Sequence, residues 1–585
     1  MTGAAQTRHV DDLIAAGDLA AAYDEAMRAI GDGESTGRLR YLAVLALARM
    51  GAADQARAAY DRLDIAAIGD VDALSLNARL LKDAAIAASP AQAANAFLAA
   101  ASAYKAVWEK TGDPYPGANA ATLFRLAGDK AQSIRLAEEL KNLPSVVAPG
   151  SYYEYATRAE VLLNLDDPEG AAGTLAAAGS LAAGNHGARA TTRKQLARLA
   201  QSLGLDTART AQLLAPLAGG TVIHFCGRMF ASDPQAETML AAAIEAELGK
   251  LNVIAGYGAL ACGADILIAE ALLKRGAELH VVLASSPQAF AETSVLPGGP
   301  KWRARYEACL KAASSLRIVG DDSYAGHPSS FGFSTEIAIG LAIIRARNLA
   351  LPARQITIDD RDPDEGNGVA GATVDVSRWQ EAGFRTIRIE PPALVKPSFK
   401  AKGQPDRNLP ERKALSLLFA DFAGFTGLPE KSLPDFWEKV LGAAAAALDA
   451  QGAHTVYRNT WGDACFAAFD NPEAAARAAL AFQEQLAGVW QIPEGSGMRI
   501  SLHHGLTFHG EDPVLQRQSI YGREVSRAAR IEPITPPGAI YVSEFFAAAC
   551  AGQSDTPFRF GYVGRLPLPK KFGDERLYRL TRARN

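Results

Sequence analysis

Residues 414–428 read ALSLLFADFAGFTGL, and residues 455–469 read TVYRNTWGDACFAAF. Each stretch contains a short apolar run and one aspartate, Asp421 in the first and Asp463 in the second. Short apolar runs of this kind predict strands, so both aspartates are expected at strand ends or hairpin tips beside small residues. Two such carboxylates make a plausible clamp for hard divalent cations, although an aspartate after a strand is more commonly a turn or N-cap residue.

Three further motifs follow in order. They are MRISLHHG at 498–505, YGREVSRAARIEPITPPGAIYVSE at 521–544 and LPLPKKFGDERLYRL at 566–580. In order and spacing, the five motifs resemble the catalytic domain of class III nucleotidyl cyclases, the adenylate and guanylate cyclase family. The likeness covers nearly all of residues 412–583. It implies an α+β, ferredoxin-like domain that converts a nucleoside triphosphate into a 3′,5′-cyclic nucleotide and pyrophosphate.

The resemblance also assigns roles to individual residues. It implies that Asp421 and Asp463 hold two Mg²⁺ or Mn²⁺ ions per site. It implies that backbone amides surround the triphosphate, and these belong to Phe422, Ala423, Gly424, Phe425 and Thr426. In this family the metals and a transition-state arginine reach one substrate from opposite subunits, so a homodimer with an isologous interface is expected.

Arg530 matches the transition-state arginine, whose planar guanidinium can follow charge that develops on the α-phosphate. The alternative is an exposed helical arginine in an i,i+4 pair. Lys570 or Lys571 occupies the place of a triphosphate-binding lysine, and an ordinary surface lysine is the other interpretation.

Three positions depart from the family pattern. Ser526 stands where the family usually carries a ribose-orienting asparagine, and its hydroxyl makes fewer hydrogen bonds than a carboxamide. The two purine-reading positions are Asn459 and Ser519, which both donate and accept, so neither adenine nor guanine is singled out. ATP is favoured because it is the commonest substrate of the family, and pyrimidine nucleotides stay open.

A second region, residues 219–395, alternates β-branched runs with helical stretches. The runs are TVIHFCG, LNVIAGYG, LHVVLA, LRIVGD, RQITIDD and RTIRIE. Apolar strands separated by helices predict a parallel, Rossmann-like sheet covered on both faces. The segments HFCGRM, GYGALACGADILIAEALL and FGFSTEIA look like the SLOG superfamily, whose members bind or process nucleotide-derived ligands.

A strand-to-helix turn in this region is expected to present backbone amides to a phosphate or sugar. The candidate pocket residues are Arg228, Gly256, Gly258, Asp265, Thr335 and Glu336. The strand after this turn, LHVVLA, does not end in an acidic residue that could bind the ribose hydroxyls of NAD, which disfavours that cofactor. The glycine-rich phosphate loop of the superfamily's hydrolase branch is missing from SSFGF at 329–333, so ligand sensing is expected rather than cleavage. The glycines have an alternative interpretation, as a tight turn under helix–sheet packing.

The first region, residues 1–215, is rich in alanine and leucine and returns to short helix–turn–helix units. Gly17 and Gly51 are 34 positions apart, the period of the tetratricopeptide repeat. A stack of helical hairpins that binds a protein partner is expected, with an irregular helical domain as the alternative. Residues 396–411, KPSFKAKGQPDRNLPE, are predicted to be a linker.

Length and composition limit the number of domains and the classes of partner that the chain can have. A chain of 585 residues suggests about three to four domains. With 60 basic and 64 acidic residues it offers no basic field for nucleic acid, and its five scattered cysteines suit a reducing compartment. No apolar window is long enough for a membrane span, and the N-terminus is polar. A cytoplasmic location without membrane or nucleic-acid partners is therefore expected.

Together these features predict a signalling protein in which helical repeats and a nucleotide-ligand sensor regulate a cyclase. Two alternatives from another class remain. One is an inactive cyclase fold that binds nucleotide and dimerises, and the other is a pure scaffold for partner proteins.

Overall fold

A computed structural model describes residues 3–181, 184–359, 371–398, 409–553 and 557–583. Its first part consists of helices alone, as expected. Their bounds are α1 Gly3–Ala16, α2 Leu19–Gly31, α3 Gly37–Arg49, α4 Ala53–Arg62, α5 Val71–Ala87, α6 Pro90–Thr111, α7 Pro114–Leu126, α8 Lys130–Leu140, α9 Pro144–Val147, α10 Tyr152–Asn164, α11 Pro168–Leu181, α12 His186–Ser202 and α13 Thr207–Leu214.

The predicted helical hairpins are confirmed. Gly17 joins α1 to α2 and Gly51 joins α3 to α4, and both adopt positive φ, 84° and 76° respectively, which glycine tolerates without a Cβ clash. The side chain of Asp18 then caps α2 by accepting a hydrogen bond from the amide of Ala21. Small buried alanines on the inner sides of the helices allow close packing.

The second part is a parallel sheet with helices on both faces. Its strands are β1 Thr221–Gly227, β2 Val253–Gly258, β3 Glu278–Leu283, β4 Ser315–Ile318, β5 Ala353–Ile358 and β6 Thr386–Ile389. Its helices are α14 Pro234–Leu251, α15 Ala264–Lys274, α16 Pro287–Phe290, α17 Lys301–Ala312, α18 Pro328–Leu349 and α19 Ala372–Glu381. The order β4-β3-β2-β1-β5-β6 reverses direction at β1, so a crevice opens between the carboxyl ends of β1 and β5.

The predicted linker over 396–411 lies largely outside the described residues. At its far end, Tyr324 donates a hydrogen bond from its hydroxyl to the carbonyl of Pro410 at 3.0 Å. The next strand begins at Arg412, whose guanidinium lies 3.5 Å from the centre of the Tyr324 ring. The end of this segment is therefore held against the Rossmann-like domain.

The third part is a mixed sheet with helices, which confirms the α+β class. Its strands are β7 Arg412–Ala423, β8 Thr455–Trp461, β9 Ala464–Phe469, β10 Gly497–Asp512, β11 Arg517–Tyr521, β12 Ile540–Ser543, β13 Phe558–Pro567 and β14 Asp574–Arg582. Its helices are α20 Leu433–Asp449, α21 Pro472–Val489, α22 Arg523–Ile531 and α23 Glu544–Ala551. Strand β7 lies between β9 and β10, so the motif that carries Asp421 is central in the sheet.

All five cysteines are buried and unpaired. Across the described ranges, no helix combines the length and the apolar character needed to cross a lipid bilayer.

Ion pairs join the three parts. Arg576 of β14 contacts Asp24 of α2 at 2.9 Å and Glu544 of α23 at 3.2 Å. Glu544 also accepts from Arg317 of β4 at 2.8 Å. Burial by itself would raise the pKa of Glu544, but Arg317 and Arg576 outweigh it and lower the pKa to about 2. Glu544 thus stays ionised between two cations from different domains.

We predict that Glu544→Gln destabilises the folded chain by about 3 kcal/mol, because it leaves two partly buried arginines without their shared carboxylate. Urea denaturation of the full chain measures this change in the free energy of unfolding. The control is Asp435→Asn, which breaks an exposed helical pair with Lys439 and should cost less than about 0.5 kcal/mol. Equal small losses in both variants would contradict the prediction.

Candidate functional site

Asp421 is placed by the alternation of side chains along β7. Leu418, Ala420 and Phe422 are buried in the core that also contains residues of α20 and α21. The strand period of two therefore directs Asp421 to the opposite face of the sheet. It lies in register with Arg499 of β10, and the Arg499 guanidinium donates to its carboxylate.

Asp463 is placed by a tight hairpin. Trp461 and Ala464 pair across β8 and β9, so Gly462 and Asp463 form a two-residue turn, with Gly462 at φ 60°. Burial raises the pKa of Asp463, and the negative charge of Asp421 adds to the increase. The backbone amide of Phe422, next to Asp421, opposes the shift. The structure thus brings the two carboxylates together beside the end of β7.

Two charged residues beside this pair were not predicted. Arg499 lies between Asp421 and Glu532, with its Nε 2.8 Å from a Glu532 carboxylate oxygen. Burial raises the pKa of Glu532 to about 7; Arg499 opposes the increase, and Asp421 and Asp463 add to it. Both residues lie in quoted motifs, Arg499 in MRISLHHG and Glu532 in RAARIEP. Their contact with the aspartates depends on strand register, which no single motif shows.

The donor set fits a divalent cation. Within the part of the chain that the structure describes, no three histidine, cysteine or acidic side chains form a metal cage. Mg²⁺, however, is usually held by one or two carboxylates together with substrate phosphates and water. The raised pKa of Asp463, caused by burial and by Asp421, marks an excess of negative charge that a bound cation would neutralise. Asp421 and Asp463 would be the protein ligands of such an ion.

The segment assigned to the triphosphate leaves β7 and turns sharply. Phe422 is buried against the ring of Phe436, which also packs against Phe425, so these two side chains anchor the segment. A short 3₁₀ turn follows from Phe425 to Gly427, and Thr426 is exposed. Ala423 and Gly424 connect the strand to this turn, which leaves the segment at the surface beside Asp421.

Helix α22 carries both proposed catalytic positions. Ser526 and Arg530 are four residues apart and therefore share a face, while Ala528 and Ile531 are buried. The Nε atom of Arg530 is buried, yet among the described residues it has no hydrogen-bond partner. Ser526 is exposed. The alternative interpretation of Arg530, an i,i+4 ion pair, does not occur within the described chain.

The two positions predicted to read the base, Asn459 and Ser519, are linked through Arg517. Ser519 is in β11, and Arg517 precedes it by two residues on the same face of that strand. Arg517 donates a hydrogen bond to the side-chain oxygen of Asn459 at 2.6 Å. This side-chain contact links β11 to β8, which are not neighbours in the sheet, and adds a cation that the sequence had not suggested.

Lys570 and Lys571 lie in the turn between β13 and β14. Both are exposed and both have positive φ, 59° and 58° respectively. Arg523 and Arg527 of α22 lie over the neighbouring Phe572 ring, so this turn is adjacent to the helix that carries Arg530.

The glycines of the Rossmann-like domain need a correction. Gly256 lies inside β2 and Gly258 ends it, so neither belongs to the strand-to-helix turn. A Cβ at Gly256 would collide with Leu272, and one at Gly258 would lie 2.6 Å from the carbonyl oxygen of Phe225. Both positions need glycine for packing against neighbouring side chains and backbone, so the alternative interpretation was right about helix–sheet packing and wrong about a tight turn.

Acidic side chains gather at the crevice between β1 and β5. Asp265, at the start of α15, accepts a hydrogen bond from the amide of Ala261 at 3.2 Å. Asp359 follows β5 and accepts from the Thr373 hydroxyl. Asp375 of α19 accepts from Thr335. Burial raises the pKa of Asp265 and of Asp375 to about 7. Asp265 and Thr335 were expected there, whereas Asp359 and Asp375 were missed.

The other two expected residues differ in their surroundings. The backbone of Arg228 bridges β5 and α15, because its amide donates to Ile358 and its carbonyl accepts from Ala264. Glu336 lies 3.2 Å from His504 of β10, and so contacts the C-terminal domain. Glu336 is one helical position beyond Thr335, which turns its side chain about 100° from the crevice.

Two models of known protein families match parts of the chain. The family model described as Adenylate and Guanylate cyclase catalytic domain matches residues 409–581. This match spans the C-terminal domain. The model described as Tetratricopeptide Repeats-Sensor matches residues 16–124. The recognition of the repeats and that of the cyclase domain are thereby confirmed, while the likeness of the middle domain to the SLOG superfamily stays a prediction. No curated protein matches the chain.

Solved cyclases are similar to the cyclase domain. The adenylyl cyclase CyaB from P. aeruginosa is 20% identical, with 30% of this chain and 97% of that chain covered and a TM-score of 0.27. The guanylate cyclase domain of RhGC from Catenaria anguillulae, in complex with GTP, is 20% identical over 30% of this chain and 100% of that chain, with a TM-score of 0.26. An adenylate cyclase from Trypanosoma brucei is 19% identical over 30% and 92%, with a TM-score of 0.25.

We predict that Asp265 and Asp375 make the chain less stable as pH rises. Burial raises each pKa from 3.8 to about 7, so the folded state holds protons that the unfolded state has released. Stability should therefore fall as pH rises from about 4 to 7 and should level off above 7.

Urea midpoints of the full chain at pH 5, 6, 7 and 8 test this. The double variant Asp265→Asn/Asp375→Asn should show a flatter profile than the wild type across that interval. Asp12→Asn/Asp61→Asn, at exposed repeat positions, is the matched control and should keep the wild-type profile. Parallel profiles for the wild type and the Asp265/Asp375 double variant would contradict the prediction.

Proposed function

We propose that the protein is a nucleotidyl cyclase that converts a nucleoside triphosphate into a 3′,5′-cyclic nucleotide and pyrophosphate. The observation that carries the proposal is the pair of carboxylates, Asp421 and Asp463, held beside the end of the central strand of a cyclase-family domain. They lie next to a surface turn, Phe422–Thr426, whose backbone amides can donate hydrogen bonds to phosphate oxygens.

In the proposed reaction the ribose 3′-oxygen attacks the α-phosphorus, and the bond to the bridging oxygen breaks as pyrophosphate leaves. With Mg²⁺ or Mn²⁺ bound, the site would lower the pKa of the 3′-hydroxyl and neutralise the triphosphate. Asp421 and Asp463 would hold the two cations, and Arg499 orients Asp421 by donating to its carboxylate. The proton released from the hydroxyl passes to solvent.

Arg530 supplies positive charge to the α-phosphate in this proposal, and it reaches the substrate of a second subunit. Its buried, unpartnered Nε supports this role, because a planar guanidinium that lacks a partner in its own described chain can still bind an anion. Ser526, one turn away, orients the ribose less firmly than an asparagine would. The subunits pair through the cyclase domain as a homodimer with two equivalent sites.

ATP is the first substrate to test, because it is the commonest substrate of this family. GTP is a second candidate, supported by the contact between Arg517 and Asn459. A guanidinium on the base-reading face donates well to guanine O6 and N7, which both accept hydrogen bonds. Adenine offers an amino group at the position of O6, so it would leave one of these donors unpaired.

The other two domains are proposed to regulate this activity inside the cell. The crevice formed around Asp265, Thr335 and Asp375 is proposed to bind a nucleotide-derived ligand, and the repeats to bind a protein partner. A cyclase-fold scaffold without activity would have no use for the unfavourable pairing of Asp421 with Asp463, which argues against that alternative.

We predict that Asp421→Ala reduces product formation by about a thousandfold or more, because the substrate would lose a protein-held cation. The full chain is incubated with each of ATP, GTP, CTP and UTP and with Mg²⁺ or Mn²⁺, and cyclic monophosphate and pyrophosphate are quantified. Asp435→Ala, on the exposed face of α20, should retain wild-type activity. Product that persists in Asp421→Ala would refute the metal assignment, and no product from any nucleotide would favour the scaffold.

We predict that two inactive variants restore activity when mixed. Asp421→Ala and Arg530→Ala damage opposite halves of each site, so a mixed dimer retains one intact site. Random pairing of equal amounts should recover about a quarter of wild-type activity, because half the dimers are mixed and each has one of its two sites intact. The variants are dissociated, mixed and assayed with the preferred nucleotide. Absence of any recovery, with exchange of subunits verified by labelled chains, would place Arg530 outside the shared site.

A further inference from the structure

Five cationic side chains lie together on the inner side of the helical repeats, outside both sites described above. They come from three helices that are distant in sequence, with Arg49 at the end of α3 and the others on α5 and α12. The set is Arg49, Arg79, Lys82, Lys194 and Arg198. They line one cavity of about 180 Å³, and Asp83 is the one carboxylate in its lining among the described residues.

These cations lack matching negative charge. Lys82 is only 8% exposed, and its amine donates to the neutral side-chain oxygens of Asn119 and Gln195, each at 3.3 Å. Arg79 lies 3.7 Å from Asp83, too far for a strong hydrogen bond. Arg49 makes neither a hydrogen bond nor an ion pair with the described residues. Among the described residues, the buried Nε atoms of Arg49 and Arg79 have no hydrogen-bond partner, and that of Arg79 has only the distant Asp83 carboxylate beside it.

Four of these five groups have a lowered pKa, whereas burial of Arg79 is outweighed by Asp83 and nearby tyrosines, which raise its pKa. Burial lowers the pKa of Lys82 to about 8, and Arg79 contributes to the decrease. Burial and neighbouring cations also lower the pKa of Arg49, Lys194 and Arg198. A cluster of buried cations is unfavourable in a protein interior unless an anion compensates it.

The Rossmann-like domain closes this cavity on one side. Lys194 donates to the carbonyl of Asn348 at 2.9 Å, and the neighbouring Arg193 donates to that of Ala350 at 2.7 Å. Asn348 and Leu349, at the end of α18, line the cavity. The packed end of α18 and the volume of about 180 Å³ favour a small ligand over an extended peptide in this cavity.

A larger cavity of about 800 Å³ adjoins the first. The two share Leu19, Met50, Gly51, Asp83, Arg198 and Asn348 in their linings. The larger one also contains the stacked rings of Tyr257 and His280, 4.3 Å apart. A ligand with its anionic end among the cations would therefore have room for an uncharged or aromatic remainder.

We propose that the helical repeats bind a small phosphorylated molecule in this cavity, with its phosphate group on Arg49, Arg79 and Arg198. Phosphate oxygens accept the forked, charge-assisted hydrogen bonds that a guanidinium offers, and three arginines from three different helices converge there. The proposal is independent of the proposed cyclase activity, because none of these residues belongs to the cyclase domain.

Isothermal titration of the full chain tests the proposal. Asp421→Ala is used throughout, in EDTA, so that the candidate metal site of the cyclase domain does not contribute. The probes are inorganic phosphate, pyrophosphate and 5′-AMP, together with an acidic octapeptide. We expect at least one phosphorylated probe to bind, and Arg49→Met/Arg79→Met to weaken that binding by about tenfold or more. The control Arg28→Met/Arg135→Met, at exposed repeat positions, should leave it unchanged.

A thermal unfolding scan accompanies each titration. Methionine retains the apolar stem of arginine and removes a repelling charge, so the ligand-free double variant should unfold at the wild-type temperature or above. If that variant does not fold, Arg198→Met on the separate helix α12 gives the same test. The proposal is overturned if no phosphorylated probe binds, if the variants bind as the wild type does, or if the peptide alone binds.

Discussion

A buried carboxylate, Glu544, links the three domains through one network of charges. Its helix α23 belongs to the cyclase domain, and its two oxygens receive Arg317 from the Rossmann-like sheet and Arg576 from β14. Arg576 also forms an ion pair with Asp24 of the repeats. Because each of these groups is at least partly withdrawn from water, none can be removed without leaving an uncompensated charge. This network acts together with other contacts between the domains, such as those of Lys194 with Asn348 and of Glu336 with His504.

The cyclase site depends on a second constraint, the position of β7 in its sheet. A strand with neighbours on both sides has a fixed register, so Asp421 must lie opposite Arg499. The two-residue turn at Gly462 then carries Asp463 back to the same strand end. These two placements follow from apolar runs and a Gly-Asp turn that are visible in the sequence, which is why the carboxylate pair could be predicted.

Other parts of the site could not be predicted in this way. Arg499 and Glu532 are 33 positions apart, and they meet because of the path of the chain after β10 rather than because of any local pattern. The same holds for Arg517 and Asn459. Gly256 was misplaced for a different reason: a glycine that accommodates Leu272 in a sheet looks, in sequence, like a glycine that opens a phosphate loop. The helices, strands and domain types were predictable because they follow local periodicity, whereas charge pairing follows tertiary packing.

Helix α18 of the Rossmann-like domain contacts both of the other domains. Near its end, Arg345 donates to the carbonyl of Ala16 in α1 at 3.0 Å, and Asn348 lines the cationic cavity of the repeats. Near its middle, Gly340 lies so close to Ala548 of α23 that no side chain fits between them. A helix of 22 residues moves nearly as a rigid rod, since its backbone hydrogen bonds resist bending. A displacement at the end of α18 would therefore be transmitted along the helix to its contact with α23, the helix that begins at Glu544.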